Sequence, residues 1–262
     1  MRLGEKNIRS KFKMNLEKIA ENASKKAYIT AKKFIDDAIV LSEKDKDIKT
    51  LADEEINNII INELINTKIP IISEEIDNQK INISNRCWII DPLDGTLNFS
   101  RQFPCSSISI ALWDNNLPLL GLVKNIFDGT LYTSFLNKGT KKNSSYINVS
   151  QVSEINNAVL STGFPSGANY ESDNLLSFVK NIQKFKKIRA IGSASLMLAY
   201  VAEGVFDVYY EKDIYLWDVA SGLSLVKEAG GEIFFKKTDG FKYEVLASNK
   251  LIFNKAKDLL IK

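Results

Sequence analysis

Two short apolar runs, each ending abruptly in acidic residues, constrain this chain more than any other feature. Ile69-Pro70-Ile71-Ile72-Ser73 stops at Glu74-Glu75, and Cys87-Trp88-Ile89-Ile90 stops at Asp91-Pro92-Leu93-Asp94-Gly95-Thr96. Short apolar runs bounded in this way suit buried strands. If the two strands are parallel neighbours, both sets of carboxylates emerge at one end, where layered folds commonly gather ligand groups. Like charges clustered there are unfavourable unless something positive neutralises them. A hard, oxygen-seeking divalent cation is the simplest candidate, and magnesium is the commonest.

Each acid also has a plainer reading. Asp94 follows Asp91 closely enough for both to reach one cation, yet it would equally cap a helix after a strand-to-helix turn. Pro92 has no amide proton and fixes its own backbone, so the chain is expected to leave the sheet there. Gly95 lets a ligand approach, and the Gly95 and Thr96 amides would then face a phosphate at a helix N-terminus. Glu74-Glu75 is alternatively a solvated pair. Asp218, after Trp217, is either a first-turn acid held by the helix dipole or a ligand shared with Asp91 and Asp94. Asp53 gains meaning only beside the others.

Periodicity supplies the frame. Leu16, Ile19, Ala20, Ala23, Ala27, Ala31, Phe34, Ile35 and Ala38 recur at helical spacing, as do Ile56, Ile59, Ile60, Glu63 and Leu64. The charged stretch Ser42 to Lys49 between them is expected as a surface loop. Strands are expected at Ser107 to Trp113 and Leu119 to Val123, joined around Asn115-Asn116, and at Leu131 to Phe135. The first half therefore reads as helices on a mostly antiparallel sheet. In the second half, strands at 158–161, 187–190, 205–210, 232–235 and 244–247 alternate with helices at 174–185, 194–203, 219–229 and 255–260. This favours an α/β, layered α+β fold. Residues 1–13 are expected as a disordered extension, 14–155 as a metal-binding α+β half, and 156–262 as an α/β half packed tightly on it.

Composition removes rival chemistries. The chain has no histidine, which excludes a Ser-His-Asp triad, a phosphohistidine intermediate and a His-rich metal site. A net charge of +3 does not argue for nucleic acid or a membrane surface as partner. No apolar run reaches the length of a membrane span and no secretory signal is present, so a cytoplasmic location is expected. Cys87 and Cys105 read as free thiols.

Taken together, Thr50 with Asp53, Glu74-Glu75, Trp88-Ile-Ile-Asp91-Pro-Leu-Asp94-Gly-Thr96-Leu-Asn98-Phe99 and Trp217-Asp218-Val-Ala-Ser-Gly222 resemble the inositol monophosphatase family, a group of magnesium-dependent, lithium-sensitive phosphatases. The resemblance runs from about Leu16 to the C-terminus. It implies an αβαβα sandwich, hydrolysis of a small phosphate monoester by a metal-activated water, and a homodimer. It further implies that Glu74, Asp91 and the Leu93 carbonyl hold one magnesium ion, and that Asp91, Asp94 and Asp218 hold a second, with a third, looser ion near Glu74. Glu75, Thr96 and Asp53 would orient the water. Gly95, Thr96, Gly192, Ser193, Ala194, Glu211 and Asp218 would line the substrate pocket. Lys44 or Lys46 would reach the phosphate from a segment that is mobile in the family. Removing Asp94 is expected to cost orders of magnitude in turnover while leaving the fold intact.

Inositol monophosphate is the expected substrate, because Asp94 to Phe99 and Glu211 resemble that branch. The alternatives are a 3′,5′-bisphosphate nucleotide, fructose 1,6-bisphosphate or histidinol phosphate, or a regulatory protein-binding role. Departures from the family are Lys49, where an apolar residue is usual, together with Leu97 and Cys105.

Overall fold

The structure is a computed structural model. It describes the backbone of residues 2–36, 39–44, 47–78, 83, 85–164 and 172–261, with side chains throughout except at 2–15, 43, 44, 47, 48 and 172–174. The backbone of residues 2–13, expected as a disordered extension, is helical as part of the first helix; their side chains, Met1 and the Lys44 and Lys46 side chains lie outside the described residues.

The chain opens with α1 (Arg2–Phe34) and α2 (Leu51–Leu64), separated by a two-stranded antiparallel ribbon of β1 (Val40–Lys44) and β2 (Asp47–Thr50). Leu16, Ala20, Ala23, Ala27 and Ala31 form one buried stripe on α1. Its small side chains let α1 lie close against α2, which buries Ala52, Ile56, Ile60 and Leu64. Thr50 and Asp53 start α2 as a capping box, the Asp53 Oδ2 accepting from the Thr50 amide at 2.7 Å and its hydroxyl at 2.5 Å.

A seven-stranded sheet follows in sequence order: β3 (Ile71–Ser73), β4 (Cys87–Asp94), β5 (Ser107–Asp114), β6 (Leu117–Asn125), β7 (Leu131–Phe135), β8 (Thr140–Lys142) and β9 (Ser145–Ile147). Only β3 and β4 pair in parallel. The turn at Asn115 and Asn116 has positive φ at both residues, the geometry a tight hairpin needs. The short helix α3 (Thr96–Ser100) leaves the end of β4.

The remaining strands are β10 (Val159–Ser161), β11 (Lys187–Arg189), β12 (Val208–Tyr215), β13 (Glu232–Asp239) and β14 (Lys242–Ser248). They form a five-stranded mixed sheet ordered β11-β10-β12-β14-β13. Four helices accompany them: α4 (Ser172–Ile182), α5 (Ala194–Ala202), α6 (Leu216–Glu228) and α7 (Phe253–Leu260). In the layering, α1 and α2 cover one face of the large sheet, α5 and α6 lie between the two sheets, and α4 packs with α7 on the far side. The αβαβα order is the one expected.

The middle layer explains its own composition. Nearly every residue of α5 and α6 is buried, as a helix apolar on all sides should be when sheets flank it. Gly222 and Gly121 permit the close approach: a Cβ at Gly222 would lie 2.4 Å from Leu198 Cβ, and one at Gly121 2.3 Å from the Ser221 carbonyl oxygen.

Three local expectations need correction. Ser42 to Lys44 and Asp47 to Lys49 are not loop but paired strand, in β1 and β2. They pair through their backbones, and the charged sequence of this stretch gives no strand signal in hydropathy. Pro92 does not end its strand, because β4 continues to Asp94. Finally, β12 starts and ends later than residues 205–210, and α6 starts before residue 219, so Asp218 already sits inside the first turn.

Candidate active site

The backbone of β4 decides which acids meet. Strand residues three apart normally face opposite sides. Between Asp91 and Asp94, however, the pairing with β5 shifts: Asp91 opposes Ser109, whereas Asp94 opposes Ser107. The extra residue is a bulge at Pro92-Leu93, where the missing proline amide costs no ladder bond. Cys87 and Ile89 face the α5–α6 layer, while Trp88, Ile90 and Leu93 pack towards α1 and α2. The bulge thus returns Asp94 to the side of Asp91, the side that carries α5 and α6.

Parallel pairing of β3 and β4 brings Glu74 beside them, and the first turn of α6 adds Asp218 from across the layer. Carboxylate oxygens of Glu74, Asp91 and Asp218 all lie within 4.8 Å of one another. Burial raises the Asp91 carboxyl well above its usual range, and the charges of Glu74, Asp94 and Asp218 push it further. Asp218 is raised in the same way, by burial first and then by Glu74, Asp94 and Glu211. An all-oxygen donor set whose members repel one another fits a hard divalent cation.

Asp94 stands slightly apart from that trio. Its Oδ2 accepts hydrogen bonds from Ser193 Oγ (2.6 Å), the Ser195 amide (2.8 Å) and Ser195 Oγ (2.5 Å), and its Oδ1 from the Ala194 amide (3.3 Å). It therefore anchors the N-terminus of α5, which the sequence did not suggest. Burial still raises its carboxyl above the usual range, against the pull of these bonds.

Thr96 and Asp53 meet from different elements. Thr96 Oγ1 lies 3.0 Å from Asp53 Oδ1 and 3.0 Å from the Leu93 carbonyl oxygen, and can donate to either. Burial pushes Asp53 up to about 6, opposed by its bonds from Thr50 and Thr96, with the Glu75 charge adding to the rise. Glu75 itself pairs with Lys49, Nζ to Oε2 at 2.6 Å.

On the opposite rim, Asn98 Nδ2 donates to the carbonyls of Cys105 (2.8 Å), Ile191 (2.7 Å) and Gly192 (3.3 Å). This ties α3 to the Gly192–Ala194 segment. Gly95 and Gly192 both have positive φ and their backbones touch: a Cβ on Gly95 would lie 2.9 Å from the Gly192 oxygen. Glu211 is buried on β12 against Gly163, and burial together with the Asp94 charge pushes its carboxyl up to about 8. Burial pushes the Cys87 thiol up to about 11, and both cysteines are free.

Sequence reading missed the serines beneath this site. Ser109 Oγ lies 2.6 Å from Ser221 Oγ and Ser107 Oγ 2.5 Å from Ser195 Oγ, fastening β5 to the two inner helices. The signal was there: Ser107 and Ser109 occupy the inward positions of an otherwise apolar strand. Asn98 was legible only as part of a motif, because its three acceptors lie far away in sequence or on the backbone.

Comparison with known proteins places this arrangement. The sequence profile described as the inositol monophosphatase family matches residues 9–261. The protein from Xylella fastidiosa named Nus factor SuhB is 40% identical over 154 residues, covering 58% of this chain. Human inositol monophosphatase 1 is 33% identical over 204 residues, covering 74% of this chain and 73% of its own length. The chain spans only 56% of the Xylella protein. The solved structure of inositol monophosphatase from Anabaena superposes with a TM-score of 0.82 at 28% identity, covering 95% of this chain and 96% of that one. Among the described residues, no helix is long and apolar enough to cross a membrane.

Proposed function

The chain belongs to the inositol monophosphatase family, and we propose that it hydrolyses a small phosphate monoester, an inositol monophosphate in preference to a nucleotide or sugar bisphosphate. The observation that carries this reading is the convergence of Glu74, Asp91 and Asp218 within 4.8 Å. Glu74, Asp91 and the Leu93 carbonyl would hold one magnesium ion, and Asp91, Asp94 and Asp218 a second, with a looser third near Glu74. Bound magnesium supplies positive charge to the phosphoryl oxygens and to the leaving alkoxide.

The chain's own groups manage position and protons. With its hydrogen donated to Asp53 Oδ1, the Thr96 oxygen is free to accept one from an attacking water. As that water attacks phosphorus in line, its proton passes to Thr96 Oγ1 and the Thr96 proton moves to Asp53 Oδ1. An Asp53 carboxyl at about 6 is suited to receive a proton near neutral pH. Glu75 helps to orient the water beside this pair. The Gly192–Ala194 segment takes the organic part of the substrate, and Glu211 binds one of its hydroxyls. Glu211 and the run Asp94 to Phe99 support the inositol branch.

The test is phosphate release from inositol 1-phosphate, adenosine 3′,5′-bisphosphate, fructose 1,6-bisphosphate and histidinol phosphate, with and without magnesium and with lithium added. Magnesium-dependent, lithium-sensitive turnover of inositol 1-phosphate well above the others is expected. Preference for another ester would overturn the substrate, and release from none would overturn the activity. The relative named as a Nus factor favours a second reading, a regulatory protein-binding role. Slow turnover of every ester together with stable capture of one protein partner would support it.

A further inference from the structure

Lys49 has two acidic partners. Its ammonium lies 2.6 Å from Glu75 Oε2 and 3.1 Å from Glu54 Oε1. The Glu75 side chain is 9% exposed and that of Lys49 35%. In sequence, Glu75 adjoins Glu74 of the carboxylate trio, and Lys49 adjoins Thr50, which caps α2 through Asp53. A positive charge is thus held on Glu75, the residue that follows Glu74 of the trio and whose charge also acts on Asp53.

As a stabilising contact this pair does little, since a half-exposed ion pair contributes weakly to folding. Its field matters more. A divalent cation entering on the Glu74 side meets a Glu75 whose charge Lys49 already offsets, and an apolar residue at position 49 would leave that attraction whole. We infer that Lys49 is a built-in counter-ion that weakens divalent-cation binding on the Glu74 side of the cluster and so sets how many cations the site holds. The inference rests on the proposal that Glu74 contributes to a cation site.

Manganese(II) is the probe, titrated into the full chain with free ion followed by electron paramagnetic resonance, so that no turnover is needed. Lys49→Met is expected to tighten the weakest binding step roughly tenfold, the scale of removing one unit charge from the solvent-screened surroundings of a cation site. Lys49→Arg keeps the charge and is expected to follow the wild-type curve. Circular dichroism verifies the fold, and Lys49→Gln removes the same charge should the methionine variant misfold. Coincident curves for wild type, Met and Gln would overturn the role of Lys49 while leaving the cluster intact as a metal site. Absence of manganese binding by the wild type would overturn both.

Discussion

Replacing Asp94 with alanine separates its anchoring of α5 from its proposed part as a cation ligand. In the folded chain it accepts from the Ser193 and Ser195 hydroxyls and from the Ala194 and Ser195 amides at the start of α5. After truncation the hydroxyls have another partner, because Ser107 Oγ lies 2.5 Å from Ser195 Oγ and 3.5 Å from Ser193 Oγ. The two amides do not. Leaving a buried donor without an acceptor costs about 1–3 kcal/mol, and loss of a helix-end acceptor about 0.5–2 kcal/mol. These figures describe overlapping events, so the gross loss is about 3 kcal/mol. Removing a charge that repels Asp91 and Asp218 returns part of it. The net expectation is destabilisation by up to about 3 kcal/mol in chelator. Magnesium should widen the gap, because a ligand present at about a hundred times its dissociation constant stabilises the wild type by about 2.7 kcal/mol, and the variant has lost a donor. Urea unfolding followed by circular dichroism, in EDTA and in magnesium, measures both numbers. Wild-type stability in EDTA would refute the anchoring of α5. An equal gain from magnesium in both proteins would refute the ligand assignment.

Gly222→Ala places a Cβ 2.4 Å from Leu198 Cβ in the middle layer, so it should destabilise by about 1–3 kcal/mol. Leu198→Ala in the same chain should relieve part of that loss, and strictly additive unfolding energies would contradict the packing argument. Asn98→Leu removes the donor that ties α3 to Ile191 and Gly192; it should raise KM about tenfold with little change in kcat or manganese affinity, and a kcat loss at constant KM would count against it. Glu211 holds its proton to about 8 in the folded chain against an ordinary 4.5. The folded state then binds more protons than the unfolded state between those values, so this group makes the metal-free protein less stable as pH rises through that window. Glu211→Gln should therefore lose less melting temperature between pH 6 and pH 8 than wild type in EDTA, and identical losses would refute the burial argument.

Those predictions rest on features that were unequally visible in the sequence. The parallel delivery of Glu74 and Asp91 was legible because short apolar strands end in acids, and Asp218 because it opens an apolar helix. Layered packing of helices and sheets followed from alternating periodicities, whereas the layer order came only with the family resemblance. What stayed hidden was set by backbone pairing and by long-range contact. The β1–β2 ribbon leaves no hydropathy trace. The bulge at Pro92-Leu93 appears only once the register against β5 is known, although it decides that Asp91 and Asp94 share a side. The bonds that join Asp94 to α5, a segment about a hundred residues away, left no trace in the sequence. Lys49 was visible only as an oddity until its ammonium was seen on Glu75.

The measurement closest to the central claim is phosphate release from inositol 1-phosphate at saturating magnesium by the wild type and by Asp91→Asn, run side by side. Asp91 is the carboxylate shared by both proposed cation sites, and it lies within 4.8 Å of the Glu74 and Asp218 ligand atoms. The account predicts magnesium-dependent turnover by the wild type and a loss of at least about a thousandfold in the variant, a scale set by withdrawing several kcal/mol of transition-state charge stabilisation. Turnover by the variant within about tenfold of wild type would contradict it.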